Sequence, residues 1–462
     1  MAEFIEKQFM ISLETLKSLV DEQQVDTVIT TFPDLYGRMM GKRFDARFFL
    51  ESVASDGTHG CNYLATVDME MEPVKGYDFA NWSAGYGDFH LQPDFASLHV
   101  ATWLDRTAII FCDIVDESSH ELLAALPRSI LKNQIAKASQ QGYSAKTASE
   151  LEYYLFKDGF EEANQRSYHD LQPAGWYLED YHILHGSRNE SFHGELRRQL
   201  AASGIPVEST KGEWGLGQHE INVVYTDIHD MADRHILIKQ CAKEIADSQN
   251  VSVTFMAKYN QDQAGSSCHI HLSLWNENGN AFAGDEEFGR IKCSPLFKSF
   301  LAGWINHAAE FMPFYAPTVN SYKRYQHGSW APTTLAWSTD NRTAGFRVVG
   351  HDQSLRIECR IPGADCNPYL AFAAALASGL DGVAQGMEPP AEFLGNAYDQ
   401  SETGTVPVTF GDAIAGFEQS DFAQSTLGSD VHKHYMHFFN TEKLAFENAV
   451  TDWERMRYFE RI

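Results

Sequence analysis

The stretch Ala148-Ser149-Glu150-Leu151-Glu152-Tyr153-Tyr154-Leu155-Phe156 decides how the rest of the chain is read. In an extended strand, alternate side chains share a face. One face here carries Glu150 and Glu152, and the other carries Leu151, Tyr153 and Leu155. Three further segments repeat this layout. Residues 217–225 set Gln218, Glu220 and Asn222 against Ile221 and Val223. Residues 268–274 set His269, His271 and Ser273 against Ile270, Leu272 and Leu274. Residues 355–361 set Arg356, Glu358 and Arg360 against Leu355, Ile357 and Ile361.

One strand with a polar face is most often just a solvated surface. Solvated faces favour Lys, Thr and Ser with mixed charge. These faces hold carboxylates with aromatics nearby, and they recur. Two carboxylates at i and i+2 lie about 7 Å apart and repel more strongly as water is withdrawn. A divalent cation removes that penalty, and oxygen-rich donors with a single imidazole suit Mg2+ or Mn2+. Glu213 precedes Glu220 across Trp214-Gly215-Leu216-Gly217, a spacing that suits a glycine-bearing turn. The pooled candidate ligands are Glu150, Glu152, Glu213, Glu220, His269 and Glu358. Together they suffice for two or three ions that also use water and phosphate oxygens.

Arg324, Arg342, Arg347, Arg356 and Arg360 cluster around Glu358 in a chain short of positive charge. Surface ion pairing is the plain explanation for any one of them. As a group they fit a cradle for polyphosphate and a carboxylate, because a guanidinium fork binds two oxygens at once. Metals and arginines around an anionic pocket point to phosphoryl transfer. Gly37-Arg38-Met39-Met40-Gly41-Lys42 is one residue short of a phosphate loop and lacks its Ser or Thr.

The 462 residues carry 36 basic and 63 acidic side chains, a net charge of −27. Such a chain repels phosphate backbones and anionic lipid, so neither nucleic acid nor membrane is an expected partner. Seven scattered cysteines without a C-x-x-C pair fit reduced thiols and a cytoplasmic location. Residues 1–14 show no basic stretch followed by an apolar run, so no signal peptide is expected. Tyr369 to Leu380 is apolar but too short to span a bilayer, and reads as a packed helix.

Residues 1–118 read as a small α+β domain, with an amphipathic helix at Leu13–Val20 and strands at Val25–Phe32 and Ala108–Cys112. Residues 119–462 read as a larger domain in which helices at Met231–Ser248, Tyr369–Leu380 and Thr441–Phe459 alternate with short strands. Met387–Val408, rich in Pro and Gly, reads as an exposed loop.

Taken together, the motifs resemble the glutamine synthetase superfamily over essentially the whole chain. The matching residues are Glu150-Leu-Glu152, Gly217-Gln-His-Glu220, Gly265-Ser-Ser-Cys-His269-Ile-His271, Asn320-Ser-Tyr-Lys-Arg324, Asp340-Asn-Arg342-Thr and Arg356-Ile-Glu358-Cys-Arg360. The resemblance implies an α+β fold: an N-terminal β-grasp domain, then a catalytic domain whose curved antiparallel sheet forms a half-barrel funnel. It implies a dodecamer of two hexameric rings with active sites between subunits, and ATP and L-glutamate as substrates. By motif position, Glu152, Glu213 and Glu220 look like ligands of a first metal, and Glu150, His269 and Glu358 like those of a second. Gly265, Arg324 and Arg360 resemble glutamate-binding positions. Glu208, His271, Ser273, Arg342 and Arg347 resemble nucleotide and phosphate positions, with Arg324 and Arg342 also catalytic. The implied reaction phosphorylates the γ-carboxylate of glutamate, after which a nitrogen nucleophile displaces phosphate.

The chain departs from glutamine synthetases proper in its flap. Where they carry a glutamate that helps take a proton from ammonium, Tyr325-Gln-His-Gly-Ser-Trp330-Ala-Pro332 has Trp330. An indole offers a flat apolar face and no base. Asp56 is the expected match for the second carboxylate of the ammonium site, there donated by a neighbouring subunit, although its surroundings differ. Ala264 and Gln353 also depart from the family pattern. The expected nucleophile is therefore an organic amine, making the chain a glutamate–amine ligase whose product is a γ-glutamyl amide. A hydrophobic or aromatic amine such as aniline is favoured, because it arrives neutral and needs no base. A small alkylamine held by a cation–π contact with Trp330 is the competing substrate. Ammonia-using glutamine synthetase and a non-catalytic sensor of the same fold are the alternative functions.

Overall fold

The computed structural model describes residues 11–399 and 404–462. The first ten residues, part of the stretch without an expected signal peptide, and four residues of the Met387–Val408 loop lie outside them.

The first sheet is built from β1 (Thr27–Pro33), β2 (Met39–Asp45), β3 (Thr58–Cys61), β4 (Asp88–Pro93), β5 (His99–Val100) and β6 (Thr107–Val115). Its order is β2-β1-β6-β4-β3, with β5 also on β6. β6 is central and buried along most of its length because both faces are covered. Ala108 and Ile110 enter a core with Leu16 and Val20 of the helix Leu13–Asp21, while Ile109 and Phe111 join the main core. Ser12 caps that helix by accepting a hydrogen bond from the Thr15 N–H. The glycine-rich run at 37–42 is the end of a turn, Gly37-Arg38, and the first four residues of β2. At Gly41 a Cβ would fall 1.8 Å from the Thr30 carbonyl oxygen, so the glycine serves close strand pairing.

The second sheet contains β7 (Ser144–Phe156), β8 (Val207–Gly212), β9 (Gln218–Val223), β10 (Thr226–Asp227), β11 (Ser252–Thr254), β12 (Cys268–Asn276) and β13 (Gly279–Asn280). After a separate hairpin of β14 (Glu286–Phe288) and β15 (Ile291–Cys293), it is completed by β16 (Trp337–Thr339), β17 (Phe346–Val349) and β18 (Arg356–Cys359). The order is β16-β17-β18-β12-β7-β9-β8, almost entirely antiparallel. Its apolar face (Leu151, Tyr153, Ile221, Ile270, Leu272, Ile357) packs into the main core. The helices Ile228–Ser248, Pro295–His307 and Pro368–Gln385 close that core from behind. The sheet therefore turns its other face outward as the wall of a cavity. Residues 1–118 do not stand apart: Leu35 shares the main core, and the Asn367 amide donates to the Asp34 and Leu35 carbonyls.

The helix expected at Thr441–Phe459 is two helices, Ser429–Asn448 and Asp452–Tyr458. Thr451 starts the second with a capping box to Glu454, and such a cap requires extended backbone that breaks the first. Among the described residues no helix is long and apolar enough to cross a membrane.

Candidate active site

Strand register converts the alternation into a site. On β7, Glu150 lies opposite His269 of β12 and Asn222 of β9, and Glu152 lies opposite Glu220. On the far side of β12, His271 lies opposite Glu358 of β18, which lies opposite Arg347 of β17. Directly opposed residues point to the same face. Acids from β7, β9 and β18 and imidazoles from β12 therefore converge, and Glu213 joins them from the turn before β9.

The convergence forms interlocking groups: Glu152, Glu213 and Glu220; Glu150, Glu220 and His269; and Glu150, His271 and Glu358. In each, the ligand atoms lie within 4.8 Å of one another. His269 Nδ1 is 3.0 Å from Glu150 and 3.7 Å from Glu358. His271, expected to face the nucleotide, also contacts the acids, with Nε2 2.9 Å from Glu150. Its Nδ1 lies 3.1 Å from Arg356 Nε.

The two ends of this row differ electrostatically. Burial and the charge of Glu213 push Glu152 up to about 7. Burial, then Glu150 and Glu213, raise Glu220 well above the usual carboxylate range. At the other end burial is overcome. His271 and Arg360 hold Glu358 down to about 2, and hydrogen bonds from His269 and His271 keep Glu150 well below its ordinary value. Burial and the Arg360 charge lower His269 to about 4, leaving it a neutral imidazole. Crowded, desolvated oxygens that otherwise retain protons, beside a neutral imidazole, fit hard divalent cations.

Glu150, Glu152, Glu213, Glu220 and His269 line a cavity of about 430 Å³, which continues through Glu150, Ser209 and Asn222 into a second of about 420 Å³. The first also takes Gly265, Arg342, Arg347, Arg360 and Trp330; the second takes Glu208, His271, Ser273 and Arg356. Glu358 is fully buried between two forks, with Arg347 donating at 2.8 Å and Arg360 at 2.6 Å. Arg342 is exposed into the cavity.

Three expected site residues are not on the cavity wall: Arg324, Asp56, and Glu358, which those two forks enclose. Arg324 is only 1% exposed, and its guanidinium donates to the carbonyls of Ile361, Arg360 and Pro362. It lies behind Gly265, where a Cβ would sit 2.3 Å from Arg324 Cγ. Asp56 ends a short helical turn on the first sheet and lines neither cavity of its own chain.

At the rim, Trp330 is 46% exposed, and its ring lies 5.9 Å from that of Trp214. Asp180, Tyr181 and Lys211 complete this edge. The Lys211 ammonium is 3.5 Å from Asp180 and 4.1 Å from the centre of the Tyr181 ring. Asp180 (φ 21°), Tyr181 (φ 64°) and Trp330 (φ 65°) all adopt the left-handed region that non-glycine residues avoid. Such strain persists where surrounding contacts over-determine the backbone. Here Asp180 and Tyr181 donate backbone hydrogen bonds to Glu213 and Gly212, and Tyr398 Oη donates to the Ala331 carbonyl beside Trp330. Asp180, Tyr181 and Lys211 escaped sequence reasoning. Trp214 stood in a quoted motif but served there only as a spacer.

Comparison with known proteins follows the same lines. Residues 124–458 match the family description "Glutamine synthetase, catalytic domain". The chain is 45% identical over 453 residues to the γ-glutamylethanolamide synthetase GlnA4 of Streptomyces coelicolor, covering 98% of this chain and 96% of that protein. It is 35% identical over 451 residues to a glutamate–isopropylamine ligase of a Pseudomonas species, covering 97% and 98%. A solved structure titled "GmaS/ADP complex-Conformation 1" superposes with a TM-score of 0.84 at 27% identity, over 96% of this chain and 99% of that one. A carboxylate-and-imidazole row on a curved antiparallel sheet, matched along nearly its whole length to such relatives, establishes that the chain belongs to the glutamine synthetase family, on the glutamate–amine ligase branch.

Proposed function

We propose that the protein is an ATP-dependent ligase that joins the γ-carboxylate of L-glutamate to an organic amine through γ-glutamyl phosphate. The observation that carries this is the pairing of Trp330 with Trp214 at the mouth of a cavity whose depth is lined with carboxylates. The two amine ligases among the relatives bear alkylamines in their names, which moves the reading from aniline toward small alkylamines.

Glu152, Glu213 and Glu220 would hold one Mg2+ or Mn2+ ion, and Glu150, His269 and Glu358 another. Bound there, the ions supply charge neutralisation for phosphoryl oxygens. The chain's own groups perform the rest. Glutamate would lie against the wall at Gly265, whose missing side chain admits Arg324 close behind it, with Arg360 and Arg342 facing the substrate. Arg324 supports that wall from behind. The γ-carboxylate oxygen attacks the terminal phosphorus of ATP and ADP departs, with Arg342 and Arg347 positioned to stabilise the charge on the transferred group. Glu208, His271 and Ser273 face the nucleotide half of the groove. The amine nitrogen then attacks the acyl carbon and phosphate leaves. An alkylammonium must first shed a proton, and Trp330 cannot accept it. Among the described residues Asp180 is the one carboxylate lining the first cavity outside the acidic groups, and it is the residue we assign to bind the ammonium and accept that proton. We further propose a dodecamer of two hexameric rings in a cytoplasmic enzyme, with Asp56 serving a neighbouring subunit. Its exposed position away from its own cavity supports this.

The test is a panel of ammonia, methylamine, isopropylamine, ethanolamine, putrescine and aniline, assayed with ATP, Mg2+ and glutamate. An alkylamine is expected to give the highest kcat/KM. Ammonia winning by a wide margin returns the protein to glutamine synthesis, and no product with any amine points to a non-catalytic relative. Analytical ultracentrifugation tests the ring assembly.

A further inference from the structure

We propose a second metal site, on the first sheet, formed by His59, His90 and Glu117 and selective for a borderline cation such as Zn2+ or Co2+. It is independent of the ligase reading and shares no residue with the large cavity.

Register again builds the site. His59 on β3 lies directly opposite His90 on β4, and His90 lies opposite Val115 at the end of β6. Glu117 follows two residues later. Three neighbouring strands thus deliver two imidazoles and a carboxylate to one spot, although Glu117 is separated by 58 residues from His59. His59 Nε2 is 3.1 Å from Glu117 Oε2, and His90 Nδ1 is 4.0 Å from the same oxygen. The imidazole rings lie 5.1 Å apart, edge to face, and all three ligand atoms fall within 4.8 Å of one another. Bonds of about 2.0–2.2 Å in a tetrahedral zinc site leave ligand atoms about 3.3 Å apart. The His59–Glu117 contact already meets that spacing, the His90–Glu117 contact needs to close by about 0.7 Å, and the two imidazole nitrogens lie within 4.8 Å.

The more buried ligand is held rigidly. The His90 side chain is 13% exposed and its ring abuts Gly57, where a Cβ would fall 2.2 Å from Nε2. That packing directs Nδ1 toward Glu117. His59 and Glu117 are half exposed, so they adjust freely to an incoming ion. A surface ion pair between His59 and Glu117 accounts for their contact. It does not account for a second imidazole aimed at the same oxygen from a packed position. Two nitrogen donors and one oxygen donor suit Zn2+, Co2+ or Ni2+, whereas the acid-rich cavity suits Mg2+ or Mn2+. The two sites therefore divide cations by donor chemistry. A bound ion would tie β3, β4 and the turn after β6 together beside the Asp56-Gly57 loop.

The experiment uses full-length protein stripped with a chelator and dialysed into excess Mg2+, which suits the cavity's oxygen donors. Zn2+ is then added, unbound metal is removed, and retained zinc is counted per chain by mass spectrometry. Wild type is expected to retain one Zn2+ per chain more than His90→Ala and more than a His59→Ala, Glu117→Gln double variant. Zn2+ is also expected to raise the wild-type Tm more than that of either variant, because an ion bound only by the folded state stabilises it. The double variant changes only half-exposed side chains, so it keeps the test sound if His90→Ala perturbs the packing. Equal zinc content and an equal Tm response in wild type and the double variant would overturn the site.

Discussion

The floor of the large cavity and its rim are made in opposite ways. The floor is sheet-borne: Glu150, Glu152, Glu220, His269 and Glu358 project from paired strands whose register leaves them no choice of face. The rim is loop-borne: Asp180, Tyr181 and Trp330 sit on strained backbone pinned by single hydrogen bonds. Chemistry that must not drift belongs on the sheet, because a sheet position is fixed by many cooperative bonds. Selectivity for one nitrogen donor over another belongs on loops, which alter without cost to the core. On the proposed function, the floor activates glutamate and the rim chooses the nucleophile.

The comparison is broken most severely at the floor. Glu220→Gln removes a carboxylate shared by two acidic groups and is expected to lower kcat on the order of 10²- to 10³-fold with every amine, measured by phosphate release. A loss confined to some amines would erase the distinction between floor and rim. At the rim, Trp330→Glu is expected to shift the ratio of ammonia to alkylamine kcat/KM by roughly 10–100-fold toward ammonia, with the KM for ATP unchanged. The positive φ is tolerated no worse by Glu than by Trp, so this variant isolates side-chain chemistry.

Asp180→Asn is expected to raise the KM for an alkylamine about tenfold while sparing hydroxylamine, which arrives uncharged. Equal effects on both nucleophiles would remove Asp180 from ammonium binding. The mildest effect concerns the floor without its ions. Glu152, raised to about 7, retains a proton at and below neutrality. Mg2+ must displace that proton, so its apparent affinity is expected to climb by up to about tenfold per pH unit below pH 7 and to gain less above it. Calorimetry in buffers of different ionisation heat checks this by the protons released. With no metal present, the same raised pKa makes folding stability from Glu152 fall as pH rises from its ordinary range through 7. His269, lowered to about 4, contributes the opposite sign, with stability lost as pH falls from its ordinary range through 4.

Much of the floor was legible because strand alternation has a strict period of two, so acids on β7, β9 and β18 and imidazoles on β12 declare their shared face in the sequence. The rim was not. Asp180 and Tyr181 follow no periodicity, and their positive φ arises from hydrogen bonds to residues 212 and 213. Arg324 reads from its motif as a substrate ligand, yet three backbone carbonyls engage its fork behind Gly265. His271 reads as a nucleotide contact, yet register also sets it against Glu358. The His59, His90 and Glu117 site was invisible for the same reason, since it depends on pairing between three separate strands.

By itself, the sequence determined the chemistry available: which residues are acids, which strands present them, and that residue 330 is an indole without a carboxylate. Tertiary structure alone decided which acids meet and which arginine forks face the cavity rather than the backbone. It also decided that Trp214 joins Trp330 at the mouth. Periodicity is a local property carried by neighbouring residues, whereas register and loop pinning are set by partners far away along the chain.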